Sequence, residues 1–423
     1  MLFLVGGFLL LVVIGFPIVF ALALISFLYL QAYGIPMSAI AQRMVVGVNN
    51  YALLAVPFFI LAGNLMNNGG VTKRLFRFAS AVVGWIPGGL GHANVVASII
   101  FAGMSGAAIA DAGGLGTIEI KAMRDEGYDR DFAAAVTAAS STIGPIVPPS
   151  IPLVIFASIA NVSVGRLFLG GAVPGLLMGL SMIILIYVIA LRRNFPVHAR
   201  FDIKEAAVSF ADGFLPLLTP AIILVGIVAG VFSPTESAIV ASAYALFLGM
   251  FVYRELTIRD LMQVIYDTVK TTSMVVFIIA AASIYGWLLG REQVPQSVAR
   301  LLFAISENPH IVLLIVIGFL MIIGCFLETT AALILLTPIL VPPVMMVGID
   351  PVHFGLVMVL TLMIGLITPP VGVVLYIISS IAGARFEEVT RAVLPFLVPL
   401  IVVLFLIAFV PELVLFLPRL LMG

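Results

Sequence analysis

The chain has 423 residues, of which 63% are hydrophobic and 9% are charged. A soluble domain carries about 25% charged residues, so the composition excludes a soluble domain of any size. Lysine plus arginine and aspartate plus glutamate each number 20, so the net charge is zero and no nucleic-acid partner is indicated. The single cysteine, Cys325, excludes an internal disulfide and a cysteine metal cluster.

Apolar runs follow one another along the whole chain, each long enough for a membrane helix of about 20 residues. Barrel strands alternate in polarity, so these continuous runs argue against a β-barrel. Met1–Leu30 is too long for a signal-peptide core and lacks a basic start, so it is predicted to be the first membrane helix. We predict an all-α polytopic membrane protein with roughly ten to twelve crossings plus interrupted pieces.

The first half, residues 1–191, contains a predicted hairpin near residues 103–123 and a broken helix over residues 132–160. Residues 192–212 form the longest polar segment, which we interpret as the connector between two halves. Positive-inside counting places this connector and the basic cluster Lys73–Arg77 on the cytoplasmic side.

The second half, residues 213–423, follows the same order, with a hairpin near residues 320–346 and a broken helix over residues 354–382. Glu328 and three prolines are expected to interrupt the apolar run of this hairpin, the prolines being Pro338, Pro342 and Pro343. Leu394–Leu417 is predicted to be the last span.

Both broken helices contain the pattern Ile-Gly-x-Ile-x-Pro-Pro, at Ile143–Pro149 and at Ile364–Pro370. Proline lacks the backbone N–H and clashes with the preceding turn, so neither helix can continue through the pattern. Lipid tolerates freed backbone groups only where they are buried in protein or line a wet cavity. Broken helices at matching places in two halves predict two inverted repeats with a transporter site between them.

Polar side chains beside the breaks predict what this site binds. Asp111 and Glu328 precede the two broken helices, and an aspartate at a membrane helix centre costs about 2.5–3.5 kcal/mol. Either they face a binding cavity, or they lie at hairpin tips that water already reaches. Hydroxyls together with freed carbonyls suit Na⁺, and helix N-termini suit an anionic substrate; the hydroxyls are those of Ser105, Thr142, Thr329, Thr330 and Thr368.

Ser233-Pro-Thr-Glu236 has the pattern of a capping box, with Ser233 as N-cap, and we favour this structural role over ion binding. The four histidines are scattered and suggest no metal site.

Several motifs, in order along essentially the whole chain, resemble the large membrane subunit of tripartite ATP-independent periplasmic (TRAP) transporters. They are Val56–Asn64, Gly103-Met-Ser-Gly106, Ile143–Pro149, Leu167–Gly175, Phe232–Glu236 and Thr368-Pro-Pro370.

The resemblance implies a sodium-driven symporter, not an enzyme, that takes up organic acids such as C4-dicarboxylates or sialic acid across the bacterial inner membrane. Na⁺ would be the coupling ion, with no other cofactor. The implied partners are a periplasmic substrate-binding protein and a small four-helix membrane subunit, which the chain is too short to include. The implied fold is an elevator, in which a transport domain moves against a scaffold. We assign the scaffold to Leu2–Leu30, Leu167–Leu191, Leu215–Phe232 and Leu394–Leu417.

Carried onto this chain, the resemblance places one sodium site at Ser105, Thr142 and Gly144 and another at Gly365, Thr368 and Pro369. The substrate is expected between them, in contact with Ser105, Asp111, Pro148, Glu328 and Thr329. Many relatives have a second serine where this chain has Ala107, so a substrate contact there is in doubt.

Other functions stay open at this point. A stand-alone Na⁺/dicarboxylate or Na⁺/H⁺ carrier would work without a binding protein. An intramembrane aspartyl protease needs two facing aspartates, and Asp111 is the one aspartate deep in an apolar segment of this kind. A passive channel would not need two matching broken helices.

Overall fold

The computed structural model describes residues 2–193, 195 and 201–423, and within these residues the chain contains helices and no strand. The helices of the first half are α1 (Leu2–Val13), α2 (Ile18–Ala32), α3 (Ser38–Val48), α4 (Ala55–Asn68), α5 (Val71–Val83), α6 (Gly89–Ser105), α7 (Ala108–Gly113), α8 (Leu115–Asp125), α9 (Arg130–Ser141), α10 (Ile151–Ala160) and α11 (Val164–Arg193). Of the predicted connector, residues 194 and 196–200 lie outside the described residues.

The helices of the second half are α12 (Ile203–Val228), α13 (Pro234–Phe247), α14 (Ile258–Arg291), α15 (Val294–Ile305), α16 (Pro309–Gly324), α17 (Thr329–Met346), α18 (Pro351–Leu366), α19 (Val373–Ala382), α20 (Phe386–Phe409) and α21 (Glu412–Met422). A π-helical turn, Leu248–Val252, extends α13. The predicted capping box at the start of α13 is confirmed, because the Ser233 and Glu236 side chains each bond the other residue's backbone.

The predicted first span over Met1–Leu30 is wrong, because the chain forms two short helices there. Gly15 adopts a positive φ of 89°, a conformation that suits glycine, and Pro17 follows it. Pro17 has no backbone N–H to donate to the preceding turn, so α1 ends and α2 starts afresh at Ile18.

Within the described residues, seven helices are long and apolar enough to cross a membrane, or up to eight if α15 and α16, bent by 119°, form one span. The sequence predicted ten to twelve crossings, which is more than these seven or eight spans. The difference arises because the broken helices and the first hairpin consist of pieces that are each shorter than a span.

Prolines have different effects at two places near the end of the chain. Pro338, Pro342 and Pro343 were expected to interrupt the second hairpin, yet α17 runs through all three. Helix α17 packs against α10, α14, α15, α16 and α18, so much of it is enclosed in protein. Of the carbonyls that the prolines leave without a helical donor, that of Ile334 belongs to a buried residue and those of Pro338 and Ile339 belong to partly buried ones. The predicted last span, Leu394–Leu417, instead ends at Phe409, and Pro411 precedes the separate helix α21.

Ion pairs place the basic segments on one face of the molecule. Arg77 pairs with Glu205 at 2.8 Å. Arg74 pairs with Asp212 at 3.2 Å and with Glu255 at 2.6 Å. These contacts join α5, α12 and the loop before α14, and we call this side the basic face.

The two hairpins start from opposite faces. Hairpin 1, formed by α6 to α8, returns to the basic face, where Asp129 pairs with Arg193 at 3.3 Å. Helix α14 begins at the basic face and has 34 residues, a length of about 51 Å, so it ends on the far side. Hairpin 2, formed by α16 and α17, follows it and therefore enters from that far side. Both hairpins extend beyond the predicted ranges, since their first arms begin at Gly89 and Pro309.

Candidate functional site

The tip of hairpin 1 is seated on the first helix break. Helix α9 ends at Ser141 and α10 starts at Ile151, where the Ser150 side chain accepts a hydrogen bond from Leu153 N at 3.2 Å. Ile151 N also donates to the carbonyl of Gly106 at 3.2 Å. Gly106 has a φ of 63°, and a Cβ there would lie 2.6 Å from the Pro149 carbonyl oxygen. Only glycine allows this approach of the tip to the break.

Three predicted site residues meet at this junction. The Ser105 hydroxyl donates to Asp111 Oδ1, and both side chains are buried. Asp111 Oδ2 has no hydrogen-bond partner among the described atoms. It lies directly over Gly144, where an added Cβ would be 2.1 Å from that oxygen. The break therefore presents a buried carboxylate oxygen beside unwound backbone.

Thr142 and Pro148 complete the first junction. The Thr142 side chain is fully buried, and its hydroxyl donates to the carbonyl of Ala139 at 2.6 Å. This bond uses the hydroxyl proton and leaves the oxygen lone pairs as acceptors. Pro148 and Pro149 are joined by a cis peptide bond, and the Pro148 carbonyl lies 3.8 Å from the position a Cβ would take on Gly103.

At the second break a hairpin also contacts the unwound backbone, but the residues there are less buried than at the first break. A Cβ on Gly365 would lie 2.5 Å from the Gly324 carbonyl carbon, so the end of α16 touches the end of α18. Gly372 N donates to Cys325 O at 3.4 Å. Thr368 and Pro369 are only partly buried, Pro369–Pro370 is a cis bond, and the Thr368 hydroxyl donates to Ile364 O at 2.6 Å.

Glu328 and Thr329, at the tip of hairpin 2, have different roles. The Glu328 carboxylate is the N-cap of α17 and accepts hydrogen bonds from Thr330 N at 2.8 Å and Ala331 N at 3.2 Å. It also accepts from the Thr330 hydroxyl at 3.0 Å. Glu328 is therefore engaged with its own helix. The Thr329 hydroxyl is buried and has no partner among the described atoms, so it remains available to a ligand.

The two halves interlock across the site. Helix α7, at the tip of hairpin 1, packs against α19 of the second broken helix, and α17 of hairpin 2 packs against α10 of the first. The predicted residues of each half thus gather at the junction of a hairpin tip with a break, and each half also borders the other half's break.

Sequence reasoning missed two buried polar residues of hairpin 1, Asn94 and Glu119. Asn94 Nδ2 donates to Thr137 Oγ1, and Ser140 Oγ donates to Asn94 Oδ1, both at 2.7 Å. Glu119 lies inside α8 just ahead of the polar patch that starts at Lys121, so in the sequence it resembles the beginning of a loop. The isoleucines on either side of Glu119, Ile118 and Ile120, could have indicated that this position is buried.

Solved structures with a similar fold come from other transporters. The Alcanivorax borkumensis YdaH transporter aligns with a TM-score of 0.63 at 14% sequence identity, covering 86% of each chain. Neisseria gonorrhoeae MtrF, described as one of a class of antimetabolite efflux pumps, aligns with a TM-score of 0.61 at 13% identity, covering 88% of this chain and 84% of that one. At such identities the likeness shows the fold alone.

Relatives found by sequence comparison have much higher sequence identity to this chain than these solved structures. The Vibrio cholerae sialic acid TRAP transporter large permease protein SiaM is 47% identical over 99% of this chain and 98% of its own length. The Haemophilus influenzae permease SiaT is 42% identical, and this chain covers 66% of it. The Pseudomonas aeruginosa C4-dicarboxylate permease DctM is 41% identical over 88% of this chain and 87% of its own.

These relatives are transporter permeases of the inner membrane rather than enzymes, and the spans described above agree with that location. The model of one family, described as the DctM component of the tripartite ATP-independent periplasmic transporter, matches residues 5–413. The chain therefore belongs to the DctM family and is a TRAP transporter large permease protein.

Proposed function

We propose that this chain takes up an organic acid by sodium symport, with Na⁺ bound at each junction of a hairpin tip and a helix break. The observation that supports this most is the buried first junction, where Asp111 Oδ2 has no partner and lies over Gly144. A buried carboxylate oxygen needs a positive partner, and Na⁺ among oxygen ligands supplies one.

The ligands we propose are close to those predicted from the sequence. Ser105, Thr142 and Gly144, joined by Asp111, would form the first sodium site, and Gly365, Thr368 and Pro369 the second. For the substrate we retain Ser105, Pro148 and Thr329, and we move Asp111 to the first sodium site because its negative charge would repel an organic anion. We assign Glu328 to capping instead, because its oxygens are occupied and a fixed negative charge would repel an organic anion.

The motion we propose is an elevator of two inverted repeats, which the opposite entry of the hairpins supports. We draw its boundary differently from the sequence prediction. A Cβ on Gly171 would lie 2.1 Å from the Ile146 carbonyl, and one on Gly179 would lie 2.3 Å from Ile99 Cδ1. Helix α11 is thus fitted to the first break and to hairpin 1. It would move with them, as would α20, which packs against α9 and α18.

We propose that a separate small membrane subunit and a periplasmic binding protein complete the system. The substrate class rests on the relatives, whose names include sialic acid and C4-dicarboxylate permeases. A stand-alone carrier is the alternative, and the two differ in whether the binding protein is needed.

The test is uptake of labelled sialic acid and labelled C4-dicarboxylates into proteoliposomes that contain the chain and its small subunit. We expect uptake of one acid that requires both an inward sodium gradient and the binding protein. Equal uptake in potassium buffer would refute sodium coupling. Full uptake without the binding protein would favour the stand-alone carrier.

A further inference from the structure

Hairpin 1 contains a second buried carboxyl group that the proposed sodium and substrate sites do not use. Glu119 lies on α8, is 1% exposed, and its Oε1 atom has no hydrogen-bond partner among the described atoms. Asp111 lies at the tip of the same hairpin, is 2% exposed, and belongs to α7, which packs against α8. Two buried acids therefore share one hairpin.

The helices around α8 supply no positive charge to Glu119. Helix α8, which carries Glu119, packs against α5, α6, α7, α9 and α19. The basic side chains of these five helices are either exposed or paired elsewhere. Their other ionisable groups are Asp111, Tyr376, which is exposed, Asp131, which is partly buried, and His92, which is buried. The Nε2 atom of His92 is hydrogen-bonded to Pro87 O at 3.1 Å. The basic side chains are Lys73, Arg77 and Arg130, which are exposed, and Arg74, which pairs with Asp212 and Glu255. Helix α8 itself adds Lys121, Arg124 and Asp125, all exposed.

An ionised carboxylate in such a place is unfavourable. Taking a charge out of water costs several kcal/mol even after the protein relaxes, and a neighbouring acid adds repulsion. A buried acid without a cation avoids this cost by taking up a proton. We propose that Glu119 is a proton-binding site of hairpin 1, and that the hairpin moves through the membrane only while Glu119 is protonated.

This inference rests on the proposed function for its role in uptake, whereas the proton site itself can be tested without transport. Infrared spectra of the purified chain in detergent would be recorded across a pH series. We expect a protonated-carboxyl band at neutral pH, part of which is lost in Glu119→Gln and shifted in Glu119→Asp. Asp125→Asn, on the exposed side of the same helix, is the matched control and should keep the full band. A Gln variant with the wild-type band would overturn the proposal.

The second arm measures uptake of the labelled acid by the complete complex at constant sodium and rising pH. Above the point where the proton is lost, wild-type uptake should fall about tenfold per pH unit, because the protonated fraction falls in that proportion. Glutamine mimics the protonated acid, so Glu119→Gln should keep its uptake at alkaline pH. Asp125→Asn should fall as the wild type does.

Two outcomes of this arm contradict the inference: the Gln variant shows the wild-type alkaline decline, or its half-saturating sodium concentration shifts as it would at a sodium ligand. If no organic acid is taken up by the wild type, the proposed function fails, and the infrared result still decides whether Glu119 binds a proton.

Discussion

The two helix breaks share a sequence pattern but differ in their surroundings. At the first break Ser105, Asp111 and Thr142 are all buried, and Asn94 ties hairpin 1 to α9 through Thr137 and Ser140. At the second break Thr368 and Pro369 are partly exposed. There, the polar link found between hairpin 2 and α18 is a weak contact of Thr337 Oγ1 with Met358 Sδ at 3.9 Å. The first junction is therefore held by buried side-chain hydrogen bonds, and the second by apolar packing and the backbone hydrogen bond from Gly372 N to Cys325 O, beside partly exposed residues.

The largest effect on uptake is expected at Gly365, where the backbone of α18 touches the backbone of α16. Gly365→Ala would place a Cβ within 2.8 Å of three Gly324 backbone atoms, so hairpin 2 must shift away from its break. Overpacking of this kind costs about 1–3 kcal/mol, and we expect uptake to be lost. Gly318→Ala, in the same hairpin with nothing within 4 Å of its Cβ, is the control and should transport normally. Normal uptake by both variants would show that the second junction tolerates separation.

A smaller effect, on sodium affinity, separates ligands from structural hydroxyls. Thr142→Val and Thr368→Val each remove one oxygen beside a break, and we expect about tenfold more Na⁺ for half-maximal uptake, since a hydrogen bond to a charged group contributes about 1.5–3 kcal/mol. Thr361→Val is the matched control, because its hydroxyl donates to Val357 O at 2.7 Å inside unbroken α18. If all three variants keep the wild-type sodium dependence, the hydroxyls of Thr142 and Thr368 are structural and other oxygens hold the ion.

Hydrogen exchange would test the difference in anchoring. Backbone amides of hairpin 1 should exchange more slowly than those of hairpin 2, because Asn94 makes two buried hydrogen bonds to α9. Asn94→Leu removes both bonds, while the Thr137 hydroxyl keeps its bond to Ala133 O and the Ser140 hydroxyl keeps its bond to Thr137 O. We therefore expect a cost of about 0.5–1.5 kcal/mol for each bond lost. Protection of hairpin 1 should then drop to the level of hairpin 2. Unchanged protection would mean that packing, not the polar link, holds hairpin 1.

The smallest effect is expected at Glu328. Its carboxylate caps α17, so Glu328→Ala should lower the free energy of unfolding by about 1 kcal/mol, the usual contribution of an N-cap, and should lower the melting temperature accordingly. The apparent affinity for the organic acid should not change, because in our proposal Glu328 does not contact it. A large loss of affinity with unchanged melting temperature would restore Glu328 to the substrate site.

The sequence predicted the breaks well because two adjacent prolines after a glycine permit few alternatives. It predicted less well where neighbours decide the outcome. The prolines of α17 are tolerated within a helix that packs against five others, and no local pattern reports that packing. The contact of Asp111 with Gly144 depends on how hairpin 1 folds back, which spacing alone does not define. Glu119 has an isoleucine on either side, but the polar patch that starts at Lys121 makes it resemble the beginning of a loop, and only the fold shows that it is buried.

The unequal lengths of the helices near the N-terminus also affect how the protein sits in lipid. Helices α1 and α2 have 12 and 15 residues, about 18 and 22 Å, whereas the hydrocarbon core of a bilayer is about 30 Å thick. Both lie close to α14, whose uncharged stretch, residues 271–290, has a length of about 30 Å that matches this thickness. Short helices beside a matched one create a hydrophobic mismatch, which lipid accommodates by thinning locally around α1 and α2. The acyl-chain length of the surrounding lipid thus becomes a variable that acts on this protein independently of sodium or substrate.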